Sequence, residues 1–474
     1  MKTYVIHLSQ MRRVCAQVLV IVAWVIVLPG VADDNRSLGE RTRQYLTDLV
    51  RLDTSNPPGN ETRVAEYLKQ VADSHGIPGE VLGSDPRRMN FVARLRGNGR
   101  GRPLLLMAHS DVVPADRGQW TADPFSAENR NGFVYGRGTQ DDKSLLAAEL
   151  AVMVEIKRRN IRLNRDLILL SEADEEAGST GVQWMMQHEW PKIDAEFALN
   201  EGGYILETKD GPRVFQVQTA EKIPTGVILT ARGTAGHASL PRADNPVLHL
   251  ARALVRVSEA EEPVRLNTTT RRYMRDIVRL PDYAWLAPLL PRLENPATAQ
   301  AAANQVRAHD AEIDAMLRTS ISPTMLRAGI KINVIPNTAE AQVDVRRLPS
   351  ETREEVLARF RQTINDSAVE VSLAPGEQMP ATEPSSITTA LYRAMEHAIG
   401  RIYPRDMVVP YMSRGATDGS FLRSRGMAVY GVPIFAREGP DSRAHGNDER
   451  IAPRNLEDGV ELLWQMVLET AGGN

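Results

Sequence analysis

The chain has 474 residues, of which 42% are hydrophobic and 25% charged, with a formal net charge of −3. That is globular composition, long enough for roughly two or three domains with real cores. The near-neutral balance and the shortage of aromatic residues argue against nucleic acid as a partner.

In chain order, the first feature is a leader. Lys2, Arg12 and Arg13 precede the apolar run VCAQVLVIVAWVIVLPGVA at 14–32, and Asp33 and Asp34 follow it. A basic n-region, an apolar h-region and small residues at Gly30 and Ala32 predict a signal peptide over 1–32, cleaved after Ala32, and hence a periplasmic or secreted protein. The alternative is an uncleaved membrane anchor, for which the run is short. Cys15, the only cysteine, lies inside the leader, so neither disulfides nor thiol chemistry are expected in the mature chain. No other stretch is long and apolar enough to span a bilayer, so no stable membrane association is expected after cleavage.

Helical spacing follows over 33–52, broken by the turn TSNPPGN at 54–60, and again over 61–75, ended by Gly76. Strand-like segments come next at 89–95 and 103–108 (PLLLMA). A helix over 144–159 then carries Leu146, Leu150, Met153 and Val154 on one face. Short apolar strands at 167–170 and 195–199, with helical segments between them, predict an α/β fold: a mostly parallel sheet sandwiched by helices and mixed at an edge. This is the first part of a larger domain, 33–219. From residue 220 the order becomes strand 227–231, helix 245–257, strands 325–334 and 339–346, helix 353–364 and strand 369–373. That βαββαβ order predicts a ferredoxin-like α+β domain inserted over 220–375. It is itself interrupted at about 259–319 by a helical segment broken by prolines. The α/β pattern resumes over 376–474, with a helix near 386–399 and a strand at 427–435.

Imidazoles and carboxylates recur just past the strands. HSDVVP supplies His109 and Asp111, GRGTQDDK supplies Asp141 and Asp142, SEADEEAGS supplies Glu175 and Glu176, NEGG supplies Glu201, and RAHGNDER supplies His445. In an open α/β sheet the carboxyl ends of the strands face one crevice, which converges these segments. Nitrogen and oxygen ligands without thiolate suit zinc, or cobalt or manganese. Taken singly, each signal has a plainer explanation: a surface His-x-Asp pair, first-turn helix acids, caps, a solvated loop histidine. Their joint occurrence after successive strands favours a metal site.

The ordered set HSDVVP, GRGTQDDKS, DEEAGS, NEGG, GTAGHASLP, INVIPNTAEAQVDVR and GATDGSF resembles one family of di-zinc metallopeptidases. That family includes aminoacylase, glutamate carboxypeptidase and succinyl-diaminopimelate desuccinylase, and the NEGG form and long insertion lean toward its carboxypeptidase S-like branch. The resemblance runs from about residue 40 to the C-terminus. It implies the zinc exopeptidase type of fold, with 220–375 as a lid or dimerisation domain and 376–474 as the second part of the catalytic domain. It implies two Zn2+ per subunit, with Co2+ or Mn2+ as substitutes. His109 and Glu201 would hold the first, His445 and Glu176 the second, and Asp141 would bridge them beside a cis Asp141–Asp142 peptide. Asp111 would orient His109, and Glu175 would be the general base for a bridging hydroxide that attacks an amide. On the lid, His237 would steady the oxyanion, in many relatives from the partner subunit of a dimer. Asn333 and Arg346, with Arg347 ranked behind, would contact the substrate's carbonyl or carboxylate, and Gly415 would offer backbone donors. The expected activity is removal of a C-terminal residue from a peptide, or of an N-acyl group from an amino acid, by a homodimer or a monomer. A carbamoyl-type amide hydrolase and an inactive peptide-binding protein on the same fold are the alternatives.

Overall fold

The computed structural model describes residues 36–209, 211–376, 379–436 and 443–473; the leader expected at 1–32 lies outside them. The apolar runs after the first two helices become strands buried on both faces. Leu167–Glu172, Leu104–His109, Phe197–Asn200 and Ala428–Gly431 lie side by side and parallel at the centre of a nine-stranded sheet. Every residue of the first three is buried, as a parallel sheet covered on both sides requires. Asn90–Leu95 and Gly79–Leu82 add on antiparallel at one edge. Val214–Glu221 and Met407–Ser413, parallel to each other, form the other edge.

Side chains alternate between the two faces, so each face has its own apolar cluster. Leu104, Leu106, Leu167 and Leu169 meet helices Leu38–Val50, Lys143–Arg158 and Pro453–Ala471. Leu105, Met107, Ile168 and Leu170 meet Thr180–His188 and Gly419–Ser424. The helix expected to be amphipathic, Lys143–Arg158, is buried from Lys143 to Ile156 because two further helices cover its outer side. Among the described residues no helix is long and apolar enough to cross a membrane.

The chain leaves this sheet at Lys222 and builds a second one. Its strand order is Ser320–Ala328, Thr338–Arg347, Ile223–Arg232, Val369–Leu373, antiparallel throughout, which is the ferredoxin-like arrangement. Burial alternates strictly along Ile223–Arg232 and Thr338–Arg347, so this sheet is covered on one face only, by Pro246–Glu259 and Arg353–Ile364. The strand expected at 325–334 lies earlier, because Gly329, at φ +66°, turns the chain away after Ala328. The strand expected at 427–435 stops at Gly431; Pro433 has no N–H with which to continue a ladder.

The helices between 268 and 315 do not pack on this second sheet. Tyr273, Met274 and Ile277 join Val409, Tyr411 and Met412 in a cluster on the outer edge of the central sheet. Buried Lys222 fastens the end of this insertion: its Nζ donates to the carbonyls of Ala315 and Arg318 and to Ser320 Oγ, each at 2.8 Å.

Candidate metal centre and active site

The parallel strands end at one edge, and the polar residues are delivered there. His109 closes its strand, and Glu201 directly follows Phe197–Asn200. Glu175 and Glu176 follow Leu167–Glu172 through a turn in which Asp174 takes the left-handed conformation, φ +71°. Asp141 and Asp142 precede the buried helix Lys143–Arg158, and the peptide between them is cis, as the resemblance implies. His445, at φ +62°, comes from the C-terminal loop.

Asp141 lies between two imidazoles. Its Oδ1 is 2.8 Å from His109 Nε2 and its Oδ2 is 3.1 Å from His445 Nε2, while His445 Nε2 is 3.0 Å from Glu176 Oε1. The ligand atoms of His109, Asp141 and Glu176 fall within 4.8 Å of one another, and so do those of His109, Asp142 and Glu201. Asp142 was not among the expected ligands; its buried Oδ2 finds no hydrogen-bond partner among the described residues. A carboxylate shared by two imidazoles, flanked by three further acids, is a donor set that fits a pair of divalent cations.

The electrostatics point the same way. Burial first, and then the charge of Glu201, push Glu175 well above the usual carboxylate range. Burial and then Asp141 do the same to Glu201. Burial also opposes a charge on Asp141, yet the bonds from His109 and His445 bring it below its ordinary value. In return, Asp141 and Glu176 lift His445 to about 10. Deeper still, burial raises both Glu172 and Asp418, the latter to about 6.

Asp111 holds more than a histidine. Its main-chain carbonyl is 3.0 Å from His109 Nδ1, whereas its carboxylate stands 3.6 Å away. That carboxylate accepts the N–H groups of Glu175 at 3.1 Å and Glu176 at 3.2 Å, and Asn56 Nδ2 at 2.7 Å. Asp111 therefore fixes the loop that carries the expected base and one expected ligand. Asp174 steadies the same loop through Arg88 at 2.8 Å and Asn56 at 2.9 Å.

Two supporting residues escape the sequence reading. Fully buried Glu449 accepts Arg137 Nη1 at 2.5 Å and the N–H groups of Gly138 at 3.1 Å, Gln140 at 2.6 Å and Asp141 at 3.2 Å. Arg137 Nη2 donates to the carbonyl of His445 at 3.2 Å. The only signal available was position: each stands four residues from an expected ligand, Asp141 or His445.

A cavity of about 370 Å³ opens at the cluster, lined by Asp141, Asp142 and Glu201 together with Tyr411, Arg414 and Gly415. Val432, Ile434 and Phe435 give it an apolar wall. The Gly415 N–H donates to Ser413 Oγ at 3.1 Å. None of the expected lid residues lines this cavity. His237 is exposed, with Nδ1 2.7 Å from Ser239 Oγ. The carbonyl of Asn333 accepts the Ala238 N–H, and Arg346 pairs with Asp344 at 3.1 Å. Arg347 is buried, donating to Thr225 Oγ1 and to the carbonyl of Met379.

Comparison with known proteins agrees with this geometry. The sequence pattern of peptidase family M20/M25/M40 matches residues 105–469. The human N-fatty-acyl-amino acid synthase/hydrolase PM20D1 is 26% identical across 96% of this chain and 97% of its own length. A probable carboxypeptidase S-like 2 of Dictyostelium discoideum is 26% identical across 78% of this chain and 72% of its own. The solved M20 metallo-carboxypeptidase of Sulfolobus solfataricus superposes with a TM-score of 0.70 at 22% identity, covering 90% of this chain and 98% of that one. A family pattern spanning most of the central sheet and all of the second one makes this chain a member of the M20/M25/M40 peptidase family, hydrolases of amide bonds.

Proposed function

We propose that the protein is a two-zinc amidohydrolase that releases an amino acid bearing a free carboxylate from an N-acyl amino acid or a short peptide. The observation that carries this reading is the Asp141 carboxylate shared by the imidazoles of His109 and His445, with Glu175 and Glu176 alongside. When bound, two such cations supply Lewis acidity to the amide carbonyl and acidify a water at neutral pH. By the family resemblance, His109, Asp141 and Glu201 would hold one and His445, Asp141 and Glu176 the other, which the contacts of Asp141 with both imidazoles support; Asp142, whose ligand atom lies within 4.8 Å of those of His109 and Glu201, would be near enough to join the first. Glu175 takes the proton of the attacking water and returns it to the leaving nitrogen, a task its raised proton affinity suits.

The apolar wall of Val432, Ile434 and Phe435 favours an acyl chain on the carbonyl side, in keeping with the N-fatty-acyl-amino acid synthase/hydrolase activity for which the human relative is named. The lid leaves Leu326 64%, Ile330 100% and Ile332 99% exposed, which supports a homodimer in which His237 serves the partner's site. The leader supports an exported enzyme.

The test is zinc content together with hydrolysis of a panel of N-acyl amino acids and dipeptides. Chelation is expected to abolish turnover and added Zn2+ to restore it. Undiminished turnover in metal-free protein would sink the proposal.

A further inference from the structure

The catalytic cavity has one cation among its described lining residues, Arg414, set directly after the edge strand Met407–Ser413. Its other charged lining residues are Asp141, Asp142 and Glu201, all of them committed to the candidate metal cluster. Once metals neutralise those acids, the guanidinium is the charge that remains for substrate.

Arg414 is placed for that task. Its side chain is 35% exposed and is held from the side by Glu312, whose Oε2 lies 3.1 Å from Nη2. Glu312 belongs to the helical insertion, in the short helix Ala311–Ala315. Tyr411, 4% exposed and packed edge-on against Tyr204 at 5.2 Å, fixes the strand end from which Arg414 projects. Held by Glu312 on one side and bonded to Tyr411 as well, a guanidinium with five N–H donors still keeps donors in its plane, and that planar fork matches a carboxylate. Arg346, the lid arginine that the family resemblance nominates, is occupied by Asp344 and lies outside the cavity lining.

Building on the amidohydrolase reading, we infer that Arg414 anchors the substrate's free carboxylate from the catalytic side of the cavity, so that this chain selects amides whose leaving amine carries a carboxylate. The helical insertion then takes part in specificity, because Glu312 sets the orientation of the fork.

The experiment compares kcat and KM for an N-acyl amino acid and for its carboxamide, using zinc-loaded wild type, R414Q, R414K and R346Q, each checked for folding by circular dichroism. R414Q is expected to raise KM for the acid on the order of 10- to 100-fold while leaving the carboxamide unchanged, as loss of a charge-assisted hydrogen bond implies. R414K, which keeps the charge but not the fork, should fall between the two. R346Q should retain the preference for the acid. An R414Q enzyme that keeps the wild-type preference overturns the inference, as does loss of the preference in R346Q alone. If R414Q does not fold, R414K decides: a raised KM confined to the acid supports the anchor, and an unchanged KM overturns it. A wild type that cleaves acid and carboxamide equally overturns the anchor only. A wild type that cleaves neither overturns the amidohydrolase reading and the anchor with it.

Discussion

Adjacent Glu175 and Glu176 share a backbone clamp, since both N–H groups donate to the Asp111 carboxylate, but their side chains face different neighbours. Glu176 meets His445, whereas burial and Glu201 dominate the surroundings of Glu175. Glu175→Gln should therefore keep its zinc while kcat falls by about 10²- to 10⁴-fold, the usual weight of a general base. Metal analysis alongside turnover checks this, and a wild-type kcat would remove the assignment. His445 supplies a pH prediction. In metal-free protein its folded pKa is raised from 6.5 to about 10, so its stabilisation is complete below pH 6.5 and fades as pH rises toward 10. A metal ligand must be neutral, so at pH 7 zinc must displace that proton. Calorimetry in buffers of different ionisation enthalpy should register about one proton released from this residue per site filled, with apparent affinity climbing as pH rises. His109 and the acids of the site were legible in the sequence because they lie at or just past a strand end or before a helix, whereas His445, in the C-terminal loop, was legible only through the RAHGNDER segment. Arg137, Glu449 and Arg414 were not, because they act through partners hundreds of positions away or on a separate insertion.

Among the elements, two loops deliver the shared ligands, and the Arg137–Glu449 pair ties them together. Both charges are buried, and Glu449 also satisfies three backbone N–H groups of the loop that carries Asp141. Glu449→Ala leaves a buried guanidinium without its partner, a change that typically costs about 3–5 kcal/mol. Urea unfolding should register that loss, and competition with a chelator should show weaker zinc binding. Equal zinc affinity in a destabilised variant would limit the pair to folding. The strands of the central sheet were readable where they were continuously apolar. Val214–Glu221 was not readable, since Gln216, Gln218, Thr219 and Glu221 sit among its apolar residues and all of them are buried. Glu221 explains part of this: it accepts Arg423 at 2.5 Å, Thr417 at 2.8 Å and Gln218 at 3.0 Å, a polar network that no hydrophobic period can announce.

For the whole molecule, the ferredoxin-like order of the second sheet followed from the succession of elements, but the direction in which the 259–319 insertion would pack did not. Composition says that a segment is helical and apolar, and nothing about which neighbour receives it. The exposed lid residues carry the prediction at this scale. Sedimentation should show a dimer, and Leu326→Asp with Ile332→Asp should yield monomers. If His237 works across the dimer as an oxyanion donor, those monomers should also lose about 10²- to 10³-fold in kcat. Monomers that remain fully active would detach His237 from the chemistry.

The packing of the insertion on the central sheet has a mechanical consequence. A flap sewn to its box by two neighbouring threads can swing wide. Here the chain crosses between body and lid four times: out at Lys222, back after Pro246–Glu259, out again into Ser320–Ala328, and home after Val369–Leu373. Lys222 clips the first and third crossings to one another through Ser320. Four crossings, two of them clipped together, should let the lid rock and shear over the candidate metal cluster more easily than swing away from it, and the cavity wall that carries Arg414 lies on the body, outside that motion.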